Sequence, residues 1–204
     1  MKAKIIEIIG WVVIIVIAVV LICLGEKYFV KLTNSNLDDL EIEKKWLILE
    51  EDIPYDLDKA DKYEIIQTYL NFNPEMRVRN INNGEQFVFT IKRDTEELGL
   101  TREEYEIVIS EEEYNNLLKK QEGNTIYKTR YQIDDENGFK MAFDIFSGDL
   151  TGLAYMEIEF ENEKMSKEYG DPEWIKKDVT RDLNYKNGHL ARYGIPETYE
   201  EYIK

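Results

Sequence analysis

Charged side chains recur at every second position in a series of short segments between residues 41 and 161. A period of two is that of a β-strand, in which successive side chains point to opposite faces. Each segment is therefore predicted to be a strand with one charged face and one mainly apolar face. In chain order the segments read EIEKKWLI, MRVRNI, FVFTIKR, TREEYEIVI, IYKTRYQI, MAFDIF and AYMEIEFE.

Turn and cap signals separate several of these predicted strands. The sequences NNGE at residues 82–85 and ENG at residues 136–138 are typical of hairpins, so neighbouring strands are expected to be antiparallel. Ser110 and Glu113 have the spacing of a capping box and predict a helix. The pair Asp171 and Pro172 predicts the start of a second helix. The C-terminal tail IPETYEEYIK has amphipathic helical potential and is expected to pack on the domain.

Two architectures can use strands of this kind. In the first, the charged faces point to solvent and the apolar faces pack on helices. In the second, the sheet closes into a barrel, with the charges inside and the apolar faces outside under helices. The barrel requires acids and bases to meet in one lumen, because an enclosed charge without a partner is costly. The segments contain both signs of charge, which is compatible with either architecture.

An uncharged apolar run of 18 residues occupies positions 8–25. As a helix it would be about 27 Å long, close to the thickness of a bilayer's hydrocarbon core. Trp11, Tyr28 and Phe29 lie where interfacial aromatic residues are expected. The alternative is a cleaved signal peptide. The run is long for one and no small-residue cleavage site follows it, so a retained single-pass transmembrane helix is the preferred interpretation.

The chain therefore divides into a membrane anchor at residues 1–31, a polar tether at residues 32–40 and one folded domain at residues 41–204. Lysines flank the apolar run equally on both sides, so their distribution does not set its orientation. We expect the folded domain to face the cytoplasm, where phosphorylated substrates are found. The sequence carries no indication of the oligomeric state.

Composition excludes several classes of protein. The formal net charge of −16 argues against a nucleic-acid partner, which normally requires a basic surface. One cysteine and one histidine exclude an intrachain disulfide and a Cys/His zinc site, so any metal must be held by carboxylates. The chain contains no GxxxxGK[ST] loop, and P-loop hydrolysis of nucleotides is therefore not supported.

The order of these motifs resembles that of a known family. Glu41, Glu43 and Lys45 spell ExExK, and IIQTYL, RVR, TIK, TREEYE and KTRY follow it. FSGDLTGLAYMEIEFE and VTRDLNYKNGHL complete the series. Together they resemble the CYTH domain, the bacterial branch of the triphosphate tunnel metalloenzymes, from residue 41 to about residue 190. Members with adenylyl cyclase activity carry His-Phe ahead of ExExK, which this chain lacks.

The resemblance implies a mainly β (α+β) fold, an eight-stranded antiparallel closed tunnel barrel with a charged lumen and peripheral helices. It implies that the tunnel binds a triphosphate-containing small molecule together with Mg²⁺ or Mn²⁺. The positions that match phosphate-binding bases are Lys45, Arg77, Arg79, Lys92, Arg102 and Arg130. The positions that match acids on the metal side are Glu41, Glu43, Asp144, Glu157 and Glu159. Tyr69 matches a tyrosine near the reacting centre, and packing within its strand is its alternative role.

The expected activity is metal-dependent hydrolysis of the terminal phosphate of inorganic triphosphate or a related compound. Arginine and lysine would bind the phosphates, the carboxylates would hold the metal, and water would attack the terminal phosphorus in line. Glu157 and Glu159 are the candidates to accept the proton from that water. Two alternatives stay open: a non-catalytic, membrane-tethered sensor of polyphosphate or nucleotide, and a polyphosphate polymerase.

Overall fold

Eight strands form a closed antiparallel barrel in the computed structural model, which describes residues 40–95, 100–135 and 137–203. The barrel strands are β1 (Leu40–Ile48), β2 (Asp61–Phe72), β3 (Glu75–Ile81), β4 (Gln86–Asp94), β5 (Thr101–Ile109), β6 (Glu122–Asp134), β7 (Lys140–Ser147) and β8 (Ala154–Glu159). Their order around the barrel is β1, β5, β4, β3, β2, β6, β7, β8 and back to β1. The closed architecture predicted from the sequence motifs is thus confirmed.

The first strand closes the barrel because it has a different partner at each end. Residues 40–42 pair with β5, and the remainder of β1 pairs with β8. A two-residue strand, β9 (Lys177–Asp178), adds to β1 beside Trp46 and Leu47. Hairpins join β3 to β4 and β6 to β7 at the two turns that the sequence predicts.

Alternation along β1 separates the lumen from an outer apolar layer. Glu41, Glu43 and Lys45 point inward, whereas Ile42, Trp46 and Ile48 are almost fully buried on the outer face. These three side chains pack in one cluster with apolar residues of β7 and β8, including Phe143 and Met156. The charged face is therefore the inner one, which decides between the two architectures that the alternation allowed.

The described residues form four short helices on the barrel: α1 (Glu111–Leu118), α2 (Glu163–Glu168), α3 (Asn187–Tyr193) and α4 (Tyr199–Tyr202). The first begins with the predicted capping box, in which the Ser110 hydroxyl accepts the Glu113 N–H and the Glu113 carboxylate accepts from the Ser110 N–H. The fourth confirms the helical tail, and its Tyr199 is buried in the core. No helix in the described part of the chain is long and apolar enough to cross a membrane, and the candidate span at residues 8–25 lies outside it.

The second predicted helix start, at Asp171 and Pro172, is wrong. The helix of that region, α2, ends before these residues, and no helix follows until α3 apart from a short 3₁₀ turn. Instead of capping a helix, the Asp171 carboxylate accepts hydrogen bonds from the Trp46 indole at 2.9 Å and the Lys44 ammonium at 3.1 Å. A tertiary contact to β1 has replaced the local cap.

Apolar side chains fill one end of the barrel. Leu47 follows Lys45 on the inner face of β1, and Tyr155 opposes it on β8. They pack in one cluster with Tyr69, with Leu190 of α3 and with Tyr199 of α4. The charged part of the lumen is therefore bounded at this end by a packed hydrophobic core.

Removing the Ser110 hydroxyl is expected to destabilise the domain modestly. The substitution Ser110→Ala leaves an N–H of the first turn of α1 without its side-chain acceptor, which costs about 1 kcal/mol. For a domain of this size we expect the melting temperature to fall by about 2–4 °C. Thermal unfolding followed by circular dichroism measures the change, and Ser110→Asp, which retains a capping oxygen, should restore most of it. An unchanged melting temperature in Ser110→Ala would contradict the cap's contribution.

Candidate active site

The lumen encloses a cavity of about 270 Å³ whose wall is mainly charged. The basic residues that line it are Lys45, Arg77, Arg79, Lys92, Arg102, Lys128, Arg130, Lys140 and Lys186. The acidic residues that line it are Glu41, Glu43, Glu75, Glu104, Glu106, Glu157 and Glu159. Within the described residues the lining thus has nine bases and seven acids, a formal charge of +2, in a chain whose total is −16. Positive charge is concentrated in the lumen.

One ion-pair network lies next to the apolar end of the lumen. The Lys45 ammonium contacts Glu157 at 2.8 Å and Glu43 at 3.6 Å. Arg130 donates to Glu157 and, at 2.6 Å, to both carboxylate oxygens of Asp144, which is fully buried. Burial opposes ionisation of Glu157, but Lys45 and Arg130 outweigh it and hold its pKa well below the usual value. Glu157 is therefore a carboxylate that fixes two bases.

Lys128 belongs to the same network and is a base whose pKa is lowered by its surroundings. Its side chain is buried and contacts Asp144. Burial lowers the pKa of Lys128 to about 8, against the opposing effect of Asp144. The Asp144 carboxylate therefore offsets part of the cost of burying this ammonium.

A second network joins β1, β3, β4 and β5. The Lys92 ammonium contacts Glu41 at 2.6 Å and Glu104 at 3.2 Å. Glu104 also accepts from Arg77 at 3.4 Å. The buried carboxylate of Glu75 then contacts Arg77 at 3.4 Å and Arg102 at 3.1 Å. Two arginines from different strands are therefore held by one acid.

Arg79 differs from the other lumen arginines in its charge environment. Its guanidinium donates to Glu106, whose carboxylate also accepts from the Thr90 hydroxyl at 2.8 Å. Burial and the neighbouring Arg77 lower the pKa of Arg79 to about 10, although Glu106 opposes them. The cost of burying this cation, together with the nearby charge of Arg77, therefore exceeds the stabilisation that Glu106 provides. An added anion would be stabilised at this position.

Acidic side chains predominate where β1 meets β8. Glu43 and Glu159 are directly opposite in the strand register, and Glu41 precedes them on the inner face of β1. Burial and then the carboxylates of Glu41 and Glu104 raise the pKa of Glu159. In the described part of the chain Glu159 forms no ion pair. We refer to Glu41, Glu43 and Glu159 as the acidic corner.

The acidic corner has the donor chemistry that a hard divalent cation requires. Its ligands would be carboxylate oxygens, which Mg²⁺ and Mn²⁺ prefer. As they stand, no three acidic, histidine or cysteine side chains of the described residues converge on one metal position. Glu41 is bonded to Lys92 and Glu43 contacts Lys45. The repulsion that raises the pKa of Glu159 is of the kind that a cation relieves, so the residues present fit such an ion.

Comparison with known proteins agrees with this architecture. A family model for the CYTH domain matches residues 39–193. The chain belongs to the CYTH family. This places it in the triphosphate tunnel metalloenzyme superfamily, as the motif order predicts.

Several CYTH proteins are similar to this chain over much of its length. An inorganic triphosphatase of Nitrosomonas europaea is 36% identical over 117 residues, 57% of this chain and 74% of the relative. An inorganic triphosphatase of Acetivibrio thermocellus is 33% identical over 153 residues, 74% of this chain and 93% of the relative. A crystal structure of an inorganic triphosphatase superposes with a TM-score of 0.54 at 30% identity, covering 74% of this chain and 93% of that one.

Most residues that the sequence singles out lie in the CYTH lumen. Those that line it are Lys45, Arg77, Arg79, Lys92, Arg102, Arg130, Glu41, Glu43, Glu157 and Glu159. Asp144 lies behind the lining, where it contacts Lys128 and Arg130. Tyr69 is fully buried in the apolar end, where its hydroxyl accepts from Gln67 at 2.8 Å and its ring stacks on Phe72. Their roles in metal binding and catalysis stay predictions.

Six charged lumen residues are missing from the set that the sequence singles out: Glu75, Glu104, Glu106, Lys128, Lys140 and Lys186. Glu104 and Glu106 share a strand face with Arg102 and could have been found by it. Lys128 shares a strand face with Arg130, and Glu75 shares one with Arg77, so the period of two could have found both. Lys140 likewise belongs to the inner face of β7. Lys186 lies outside the barrel strands, just before α3, and no strand pattern could have placed it in the lumen.

Proposed function

We propose that this CYTH domain hydrolyses the terminal phosphate of inorganic triphosphate or of a related triphosphate-containing compound. The observation that carries the proposal is the concentration of nine bases in one closed lumen of an otherwise acidic chain. A linear polyanion is the ligand that such a wall stabilises. Support also comes from two relatives above 30% identity, both named inorganic triphosphatase.

The bases of the lumen would bind and orient the phosphates. Arg77 and Arg79 can each donate two parallel hydrogen bonds to phosphate oxygens, which fixes orientation as well as neutralising charge. Arg130, whose Nε and Nη2 donate to Asp144, would contribute its charge and its remaining N–H groups. Lys45 of β1 and Lys92 of β4 add ammonium groups to the same lumen. Phosphoryl transfer depends mainly on positioning and on stabilising charge, so a wall of fixed bases supplies much of what the reaction needs.

The acidic corner would hold Mg²⁺ or Mn²⁺ through Glu41, Glu43 and Glu159. Bound there, the ion would neutralise phosphate charge and polarise a water or a phosphate oxygen. Asp144 and Glu157 are engaged by bases, and we propose that they position Lys45, Lys128 and Arg130. Of the two predicted proton acceptors, we favour Glu159, because Glu157 already accepts from two cations.

Phosphate release by the purified full chain tests the proposal. Triphosphate, ATP and thiamine triphosphate would each be offered with Mg²⁺, with Mn²⁺ and with a chelator. We expect release from triphosphate that requires the metal and exceeds release from the other two compounds. Tight binding of triphosphate with no release under any condition would contradict the enzyme and support the non-catalytic sensor.

Substituting Glu75 by glutamine is expected to separate binding from turnover. The change removes one negative charge beside Arg77 and Arg102. The partly screened repulsion between this carboxylate and the anionic substrate is lost, so the KM for triphosphate should fall by about a few-fold. The kcat should fall about tenfold, because the two guanidinium groups lose the acid that fixes their orientation. Steady-state kinetics measures both constants. Glu112→Gln, on the exposed face of α1, is the control, and a raised KM with unchanged kcat would contradict this role for Glu75.

We further propose that residues 8–25 anchor the domain in a membrane with the domain on the cytoplasmic side. This rests on the uncharged apolar run and its aromatic flanks. Protease treatment of intact spheroplasts, followed by detection of the folded domain, tests it. Protection that is lost on lysis is the expected result. Digestion in intact spheroplasts would contradict the orientation, and recovery of the full chain in the supernatant after high-speed sedimentation would contradict the anchor.

A further inference from the structure

A second cavity, of about 670 Å³, lies outside the barrel. It is bounded on one side by the turn between β6 and β7 and on the other by the segment that follows α2. We refer to it as the aromatic groove. Its principal apolar residues are Tyr55, Phe139, Met141, Met165, Tyr169 and Trp174.

The rings of the aromatic groove are held in place by one another and by the core. Phe139 and Tyr169 meet edge to face with their centroids 5.2 Å apart. Tyr55 and Trp174 meet edge to face at 6.3 Å, and both contact the fully buried Phe143. Aromatic side chains from three separated segments therefore converge on one cavity. Their positions are set before any ligand arrives, which lowers the entropic cost of binding.

The charged residues of the groove have a single sign. Asp135 and Glu168 line it, and no basic side chain among its described lining residues does so. The Asp135 carboxylate is fixed by the backbone N–H groups of Asn137 and Phe139, at 2.8 and 2.7 Å. Glu168 is exposed and its contact with Lys164, at 3.7 Å, is a solvent-screened pair that contributes little. Negative charge therefore lies beside the aromatic walls.

Asp135 also acts on the hydroxyl of Tyr169. Burial, followed by Asp135 and Tyr55, raises the pKa of Tyr169 to about 12. The phenol therefore stays neutral at any physiological pH. The face of its ring carries partial negative charge, which attracts cations, and its hydroxyl is a polar group near the Asp135 carboxylate.

We propose that the aromatic groove binds a small organic cation that carries a methylated, quaternary ammonium group. Such a cation is attracted by the faces of tryptophan and tyrosine rings, and it has no N–H that requires a hydrogen-bond acceptor. Its methyl groups would make apolar contacts with the aromatic rings and the two methionines. Its positive charge would be attracted by the carboxylates of Asp135 and Glu168. This site is separate from the lumen, and its chemistry does not depend on the proposed hydrolase activity.

Titration of the full chain with choline tests the proposal, with the protein kept in solution by an uncharged maltoside detergent. Binding would be followed by tryptophan fluorescence and by saturation-transfer NMR of the ligand. The neutral isostere 3,3-dimethylbutanol is the matched probe, since it has the shape of choline without the charge. We expect choline to bind and the isostere to bind about tenfold more weakly or not at all, in keeping with a desolvated cation–π site. Equal binding of the two, or no binding of choline, would overturn the proposal.

Substitutions inside and outside the aromatic groove test whether choline binds there. Trp174→Leu should weaken choline binding about tenfold, and Asp135→Asn should weaken it while leaving the isostere unaffected. Tyr193→Leu removes an exposed aromatic ring on α3, outside the groove, and should have no effect. Weakening by Tyr193→Leu equal to that by Trp174→Leu would overturn the assignment to this groove.

Two sources could supply the same ammonium group, a free metabolite or the headgroup of a lipid. Glycerophosphocholine, which adds the phosphodiester of such a headgroup, distinguishes them. Binding as tight as that of choline supports a lipid headgroup, whereas rejection by the acidic groove supports a free cation.

Phosphate release from triphosphate should be unchanged in Trp174→Leu, since this residue does not line the lumen.

Discussion

Arg79→Ala is expected to lower kcat/KM for triphosphate by about 10²- to 10³-fold, the usual cost of removing a preorganised donor at a site of developing negative charge. The Arg79 side chain is 15% exposed in the lumen wall, and its partial burial together with Arg77 lowers its pKa to about 10. An anion bound beside a buried cation stabilises its charged form, so Arg79 is expected to interact favourably with a phosphate. Its protein partner, Glu106, is already satisfied in part by Thr90, which leaves the guanidinium able to turn toward a phosphate.

Steady-state phosphate release and calorimetric binding of triphosphate measure the effect. The matched control is Arg93→Ala, which removes an arginine from the outer face of β4, where its side chain is 60% exposed and contacts Glu103 at 3.9 Å. The control should retain activity within about twofold, because an exposed pair contributes little. If Arg79→Ala bound and hydrolysed triphosphate as the wild type does, the lumen would not be the substrate site.

Glu159→Gln is expected to weaken metal-dependent hydrolysis strongly without destabilising the fold. The neutral amide keeps the shape of the side chain but is a much poorer ligand for Mg²⁺ or Mn²⁺. Loss of one ligand from a carboxylate site should lower the affinity for Mn²⁺ and reduce turnover by about 10²-fold. Mn²⁺ binding, measured by electron paramagnetic resonance of the free ion, reports on the site independently of activity.

The direction of the stability change in Glu159→Gln follows from the pKa shift of Glu159. Burial and the carboxylates of Glu41 and Glu104 raise the pKa of Glu159 in the folded chain. A carboxyl whose pKa is raised by folding costs stability above its unfolded pKa, because its ionised form is disfavoured in the native state. In the absence of metal, the melting temperature of the variant at pH 7 should therefore equal or exceed that of the wild type, and the difference should vanish in acid. Glu103→Gln, on the outer face of β5, is the control. A large loss of stability at pH 7 would contradict this reading of the acidic corner.

Because the lumen's acids and bases neutralise one another, the fold can enclose many charges. Lys92 with Glu41 and Lys45 with Glu157 are each almost buried, and either partner alone would carry a large desolvation cost. Every substitution of a lumen charge therefore has two effects, one on binding and one on the partner left behind. Glu159 is the exception. It forms no ion pair in the described part of the chain, so its substitution changes binding without leaving a partner unpaired.

The sequence by itself determined seven of the eight barrel strands, all except β2, and which of their residues share a face. Alternation is local, so the common face of Glu41, Glu43 and Lys45 follows from the geometry of one strand. The capping box at Ser110 and the hairpin at residues 82–85 are local for the same reason, and both were confirmed. The prediction at Asp171 failed because the carboxylate found a stronger partner in Trp46, far away in the sequence.

Only the tertiary structure decided that the charged faces point inward and which acid meets which base. Closure depends on β1 pairing with both β5 and β8, and a local pattern cannot encode pairing between distant strands. The contact between Lys92 and Glu41 joins strands that are sequentially remote, so it exists only in the closed barrel. Lys186 enters the lumen from outside the strands for the same reason, because its position is set by how the C-terminal segment packs against the barrel.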